Sequence, residues 1–255
     1  RPAAIMGASF PQGQSHETVF AQVVAQQLGV PFEAVRIVAG DTDKVAKGVG
    51  TFASRSMVRA GAAAVEVCDL VIALGAQMAA HLMETSVSDI EYRGGAFQVA
   101  GTDRRIGLFE VARAAESGQV PPSLGSLLMA AKMHSNPAFA FANGCEVCEV
   151  EVDPETGHVQ IVVMSVVDDS GCAVNPMVVH GQMHGAVVHG IGQALFERTV
   201  YHAETGQLLS GSLMDYTIPR ADDLPSIPVI SRDVRSPSNV LGVKGAGEGG
   251  TVGAP

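Results

Sequence analysis

Residues 3–8 are short and apolar, bounded by turn formers, and predict a strand that runs into the polar loop Ser9-Phe10-Pro11-Gln12-Gly13-Gln14-Ser15. Beyond it Val19, Val23, Val24 and Leu28 recur at helical spacing and Gly29 supplies a stop, so a helix follows. Residues 35–38 read as the next strand, leading to the turn Gly40-Asp41-Thr42-Asp43 and a glycine-rich stretch over 48–56. Residues 57–83 are dominated by Ala, Val and Leu, the pattern of a long helix packed closely against its neighbours. Residues 89–92 and 97–99 flank Arg93-Gly94-Gly95 as a hairpin, residues 108–115 form a short helix, and Pro121-Pro122 marks a loop.

From Asn143 the pattern changes to strands. Val147, Val150 and Val152 lead to the turn Asp153-Pro154-Glu155-Thr156-Gly157, and residues 159–167 return on the far side as a hairpin. After Asn175-Pro176, residues 177–196 are rich in Gly, Ala and Val and predict a second closely packed helix. Strand, polar glycine-rich turn and small-residue helix thus occur once in each half. The expected class is α+β, with mixed sheets and packed helices in two lobes, 1–140 and 141–255, rather than a clean parallel βαβ alternation.

Composition narrows the function. With 47% hydrophobic and 16% charged residues in 255, the chain buries a substantial core and lies outside the disordered range. Sixteen basic against 26 acidic residues, a formal charge of -10, disfavour a nucleic-acid partner, although backbone N–H groups at helix starts still allow a buried anionic cofactor. Four cysteines are too few for a disulfide scaffold at this length and fit a reducing, cytoplasmic setting. The longest apolar stretch is broken by Arg59, Glu66 and Asp69 and offers no membrane span. Neither end reads as a natural terminus, so a fragment of a longer chain, inactive by itself, is expected.

Three loops carry candidate chemistry. Gln12-Gly13-Gln14-Ser15 precedes a helix, where the N–H groups and dipole favour an anion and the amides donate to oxygen; an ordinary capped turn is the commoner reading of such a loop. Gly50-Thr51-Phe52-Ala53-Ser54-Arg55-Ser56 is a second of the kind, and spacing alone does not show that the two share a ligand. The stretch 242–250 sets Glu248 and Lys244 among five glycines; such a carboxylate acts as a base if a ligand approaches, or pairs with Lys244 if none does. Cys145 and Cys148 have metal-pair spacing, but a strand points them to opposite faces. His180, His184 and His189 read first as packing residues.

Taken together, PQGQSHET (11–18), GTFASRS (50–56), NPM (175–177), GQMHGAVVHGIGQAL (181–195), MDY (214–216), PRAD (219–222) and GVKGAGE (242–248) resemble, in sequence and order, the xanthine dehydrogenase, aldehyde oxidase and carbon monoxide dehydrogenase family. The resemblance covers essentially the whole chain and corresponds to the C-terminal part of the molybdopterin-binding large subunit. It implies a molybdenum–molybdopterin cofactor, in its cytosine dinucleotide form, to which the protein gives no metal ligand. Glu248 would be the catalytic base, and Gln12, Gly13, Gln14, Ser54, Arg55, Ser56, His189, Lys244 and Gly245 would contact the cofactor, Ser54 and Ser56 at its pterin or phosphate portion. The implied reaction hydroxylates an aldehyde or N-heterocycle with oxygen from water. Electrons leave through an iron–sulfur subunit and an FAD subunit, which join the remainder of the large subunit as partners. Two positions depart from the family pattern: Ser15 stands where glycine is common, and His189 where glutamine is usual beside the metal's apical ligand. A non-catalytic subunit of the same family is the alternative.

Overall fold

In the computed structural model the first strand–loop–helix–strand run closes as a parallel βαβ unit. Strand β1 (Ala3–Gly7) pairs with β2 (Val35–Ala39) from Ala3↔Val35 to Gly7↔Ala39, with helix α1 (His16–Leu28) as the crossover. One such unit does not make a doubly wound sheet, because the remaining strands belong to two other sheets. Residues 2–45, 47–134 and 140–254 are described; the stretch 135–139, beside the expected lobe boundary, is not among them. Contacts divide the chain into two units, 1–51 with 56–137 and 52–55 with 138–255.

In the first unit α1 buries Val19, Val23, Val24 and Leu28, the stripe its spacing predicts, and Phe20 beside them. It stops at Gly29, which adopts φ 59° and donates its N–H back to Gln26. The 57–83 stretch begins with a π-helical turn (Met57–Gly61) and continues as α2 (Ala62–Leu82). Its close packing is literal at Gly75, where a Cβ would lie 2.5 Å from the Phe97 ring, itself fully buried. Strands β3 (Ile90–Arg93), β4 (Ala96–Val99) and β5 (Arg105–Gly107) form an antiparallel sheet, followed by α3 (Leu108–Glu116).

The second unit is built on the hairpin of β6 (Asn143–Val152) and β7 (Val159–Asp169), extended by β8 (Val229–Ser231) parallel to β7. Helix α4 (Pro176–Ile191) starts with Asn175 accepting the Val178 N–H and Pro176 in the first turn, where its missing N–H costs nothing. Met183, Val187 and Ile191 pack on Ile161, Met164 and Val166 of β7. Full burial of side chains of this size contributes roughly 1.5–3 kcal/mol each, and this core fixes α4 over the sheet. A short helix α5 (Gly249–Gly253) lies against α4 through Gly250, where a Cβ would stand 2.8 Å from Val187 Cγ2.

Cys145 pairs with exposed Val167 and Cys148 with buried Met164, so the two thiols diverge across β6. Burial pushes the Cys68 thiol up to about 12, with Asp69 adding to it, which keeps that cysteine protonated and inert. No helix among the described residues is long and apolar enough to cross a membrane.

Candidate functional site

In the second unit the 242–250 loop is clamped at its base. Asn239 brackets Val243, donating to its carbonyl at 2.8 Å and accepting its N–H at 3.1 Å, and the Lys244 N–H donates to Ser170 at 2.7 Å. The Lys244 ammonium lies 2.5 Å from Asp169 Oδ2, with only 10% and 12% of the two side chains exposed. Lysine therefore pairs with Asp169 rather than with Glu248. Burial pushes the Asp169 carboxyl up, but Lys244 and the N–H groups of Gly171 and Val234 outweigh it and hold it below the usual range. Burial keeps neighbouring Asp168 above that range, although the Ser170 hydroxyl donates to it. Glu146 is raised as well, by burial and then by the charge of Asp168.

Above this base the loop meets residues 52–55. Ala53 and Ser54 both take left-handed backbone, φ 56° and 48°, and the Ser54 backbone presses on Gly245 so closely that a Cβ there would lie 2.1 Å from the Ser54 carbonyl oxygen. Two consecutive non-glycine residues in this region cost on the order of 1–2 kcal/mol each. The result places the Ser54 hydroxyl 2.6 Å from Glu248 Oε2, to which it donates. Arg55 stacks on Phe52, its guanidinium carbon 3.7 Å from the ring centroid.

Beside the carboxylate loop, α4 and α5 wall a cavity of about 250 Å³ lined by Gly181, Gln182, Gly185, Ala186, His189, Gly247 and Thr251. A Cβ at Gly181 or Gly185 would meet nothing within 4 Å. The glycines on this face of α4 were expected to serve close packing; at these two positions they instead keep the cavity open. The Thr251 hydroxyl donates to the Ala186 carbonyl at 2.9 Å and stands 3.5 Å from His189 Nδ1. Gln182 and Thr251 are lining residues that the sequence reading did not single out. The signal for the first was available, because residues 181, 182, 185 and 189 fall on one helical face.

In the first unit the loops before α1 and before the π-helical turn are stitched together. The Thr51 hydroxyl donates to the Phe10 carbonyl at 2.6 Å, and the Phe10 ring sits against Gly50, where a Cβ would be 3.1 Å away. Gln12 and Gln14 bond each other, Gln12 N–H to Gln14 Oε1 at 2.5 Å and Gln14 Nε2 to Gln12 Oε1 at 3.2 Å, across Gly13 at φ 110°. Ser15 caps α1 from φ 56° and Ser56 precedes the π-helical turn; neither makes a side-chain cap. Both hydroxyls are therefore not spent on the helix ends, contrary to the ordinary capping reading. Among the described residues no group of three or more His, Cys, Asp or Glu side chains is placed to hold a metal ion.

Residues 4–225 match the profile of the molybdopterin cofactor-binding domain. The chain is 37% identical over 248 residues to the 6-hydroxypseudooxynicotine dehydrogenase complex subunit gamma of Paenarthrobacter nicotinovorans, covering 95% of this chain and 31% of that protein. It is 32% identical over 243 residues to the carbon monoxide dehydrogenase large chain of Hydrogenophaga pseudoflava, covering 95% and 30%. Among solved structures, quinoline 2-oxidoreductase from Pseudomonas putida 86 superposes with a TM-score of 0.85 at 34% identity, over 99% of this chain and 32% of that one. The chain thus spans about a third of the length of the relatives it matches.

Proposed function

Because the chain belongs to the molybdopterin cofactor-binding domain family, we propose that it is the cofactor-holding, catalytic part of a molybdenum hydroxylase large subunit. Glu248 takes up the proton released as an aldehyde or N-heterocycle is hydroxylated with oxygen from water. The observation that carries this reading is a carboxylate set among glycines, oriented by a 2.6 Å hydrogen bond from Ser54, next to a cavity whose helix face is kept bare by Gly181 and Gly185. The relatives support it by what their names describe: a nicotine-derivative dehydrogenase, a carbon monoxide dehydrogenase and a quinoline oxidoreductase.

The residues present fit such a cofactor. In the second unit the glycine faces of α4 accept a flat organic group without a side chain in the way, while Gln182, His189 and Thr251 offer polar atoms to an oxygen- and nitrogen-rich ligand. Arg55 adds a cation for a phosphate. In the first unit the Gln12 and Gln14 amides, the open approach over Gly13, and the Ser56 hydroxyl would serve the same ligand class. Lys244 and Gly245 act on the loop itself, the one through Asp169 and the other by admitting Ser54. When bound, the molybdenum cofactor supplies the oxygen-transfer and two-electron chemistry. The protein's own part is to orient the substrate and to hold a proton on Glu248. In this reading the cofactor has the cytosine dinucleotide form, and the remainder of the large subunit, an iron–sulfur subunit and an FAD subunit complete a cytoplasmic complex.

The test is molybdenum and pterin content, together with aldehyde and N-heterocycle oxidation by an artificial electron acceptor, in the complete complex and its Glu248→Gln variant. We expect both proteins to carry the cofactor and the variant to lose roughly 10²–10⁴ in turnover. A wild-type complex made in a cofactor-competent host without metal or pterin would overturn the enzyme reading in favour of a non-catalytic subunit.

A further inference from the structure

The geometry points to Ser54 as the positioning residue for the Glu248 carboxylate, rather than as a hydrogen-bond donor to the cofactor. This rests on Glu248 being the proton acceptor proposed above. A serine hydroxyl has one hydrogen to give. Here it goes to Glu248 Oε2 at 2.6 Å, which leaves Ser54 without a hydrogen for a phosphate or pterin oxygen.

The arrangement is over-determined on the serine side. Left-handed backbone at Ala53 and Ser54 turns the hydroxyl toward the loop, and contact with Gly245 fixes its origin, because the Ser54 carbonyl and Cβ lie 2.1 and 2.7 Å from where a Cβ on that glycine would be. On the glutamate side little else is fixed. Glu248 is exposed, its loop neighbours Gly247 and Gly249 bring no side chains, and Lys244 is turned to Asp169. A glutamate with three free torsions samples many positions, whereas a base must stay within hydrogen-bond reach of the proton it takes. The Ser54 bond engages Oε2 and leaves Oε1 as the atom that accepts the proton.

The complete complex should be compared with its Ser54→Ala, Ser54→Gly, Glu248→Gln and Ser54→Ala/Glu248→Gln variants. Ser54→Gly removes the hydroxyl without any penalty for left-handed backbone, so it stays informative even if the alanine variant folds poorly. We expect both single serine variants to keep wild-type molybdenum and pterin content, to lose about 10- to 100-fold in kcat with KM within about twofold, and to add nothing further in the Glu248→Gln background. Loss of molybdenum or pterin from the serine variants would make Ser54 a cofactor ligand and overturn the inference. Unchanged kcat in them, with Glu248→Gln inactive, would also overturn it while leaving the role of Glu248 intact. A fully active Glu248→Gln variant would remove the role of Glu248 and this inference with it.

Discussion

Replacing Gly245 by alanine puts a methyl group where the Ser54 backbone already stands. The added carbon would sit 2.1 Å from the Ser54 carbonyl oxygen, 2.7 Å from its Cβ and 3.0 Å from its carbonyl carbon. The shortest of these is about 1.4 Å inside the ~3.5 Å of ordinary nonbonded contact. Two of the three atoms are backbone, so no rotamer change relieves the clash. Gly245 does not need positive φ, so the effect is steric alone. Overpacking of this kind costs about 1–3 kcal/mol, and in a domain of this size each kcal/mol lowers Tm by roughly 2–4 °C. Gly247→Ala is the internal control: its added carbon comes no closer than 3.3 Å to the Ser54 hydroxyl and 4.0 Å to Gln182 Nε2 and Ser54 Cβ, all side-chain atoms rather than backbone. Thermal unfolding of the complete subunit should show a clear loss for Gly245→Ala and a much smaller one for Gly247→Ala. Equal Tm values for the two variants would refute the claim that the 52–55 and 242–250 segments are held in backbone contact.

Two further outcomes follow from the electrostatics beneath the loop. Lys244→Met leaves the nearly buried Asp169 carboxylate without its cation, and should cost on the order of 3 kcal/mol in denaturant unfolding at neutral pH; a variant as stable as wild type would show that the pair does not anchor the loop. Glu146 has its pKa raised by burial and by Asp168, and its Oε2 is buried without a hydrogen-bond partner. The folded state therefore holds that proton more tightly than the unfolded chain, so its contribution is fully present below about 4.5 and is lost as pH rises through the raised value. Over that window the Tm of Glu146→Gln should fall less steeply than that of wild type, and parallel profiles would exclude Glu146 as the source.

What the sequence made legible was local. The stripe Val19, Val23, Val24, Leu28 and the stop at Gly29 specify α1, and the Asp153–Gly157 turn closes the β6–β7 hairpin with Asp153 Oδ1 accepting the Glu155 N–H at 2.8 Å. These depend on neighbours a few residues apart. The site depends on pairs that are distant in the chain: Ser54 with Glu248 across 194 residues, and Lys244 with Asp169 across 75. No periodicity encodes such pairs, which is why Lys244 was equally consistent with pairing to Glu248. Helical glycines illustrate the same limit. Gly75 admits the Phe97 ring and Gly185 faces open space, yet both sit in similar runs of Ala, Val and Gly. Composition says that a Cβ is absent; only the tertiary surroundings say what takes its place.

The two departures from the family pattern bear on whether the chain is a working enzyme or a binding relic. Ser15 occupies left-handed backbone at φ 56°, the conformation a glycine there takes freely, so the loop keeps its shape while paying the penalty of a side chain. His189 stays on the cavity wall with Gln182 and Gly247, so the substitution changes the donor and not the lining. Moreover, among the described residues, three of the four non-glycine positions with positive φ are Ser15, Ala53 and Ser54, all in the two loops singled out for cofactor contact; the fourth is Glu84. Strain of this kind persists only where surrounding structure over-determines it. At Ser54 the contacts that hold the strain are those with Gly245, and the same backbone aims the hydroxyl at Glu248, so strain and aim belong to one arrangement.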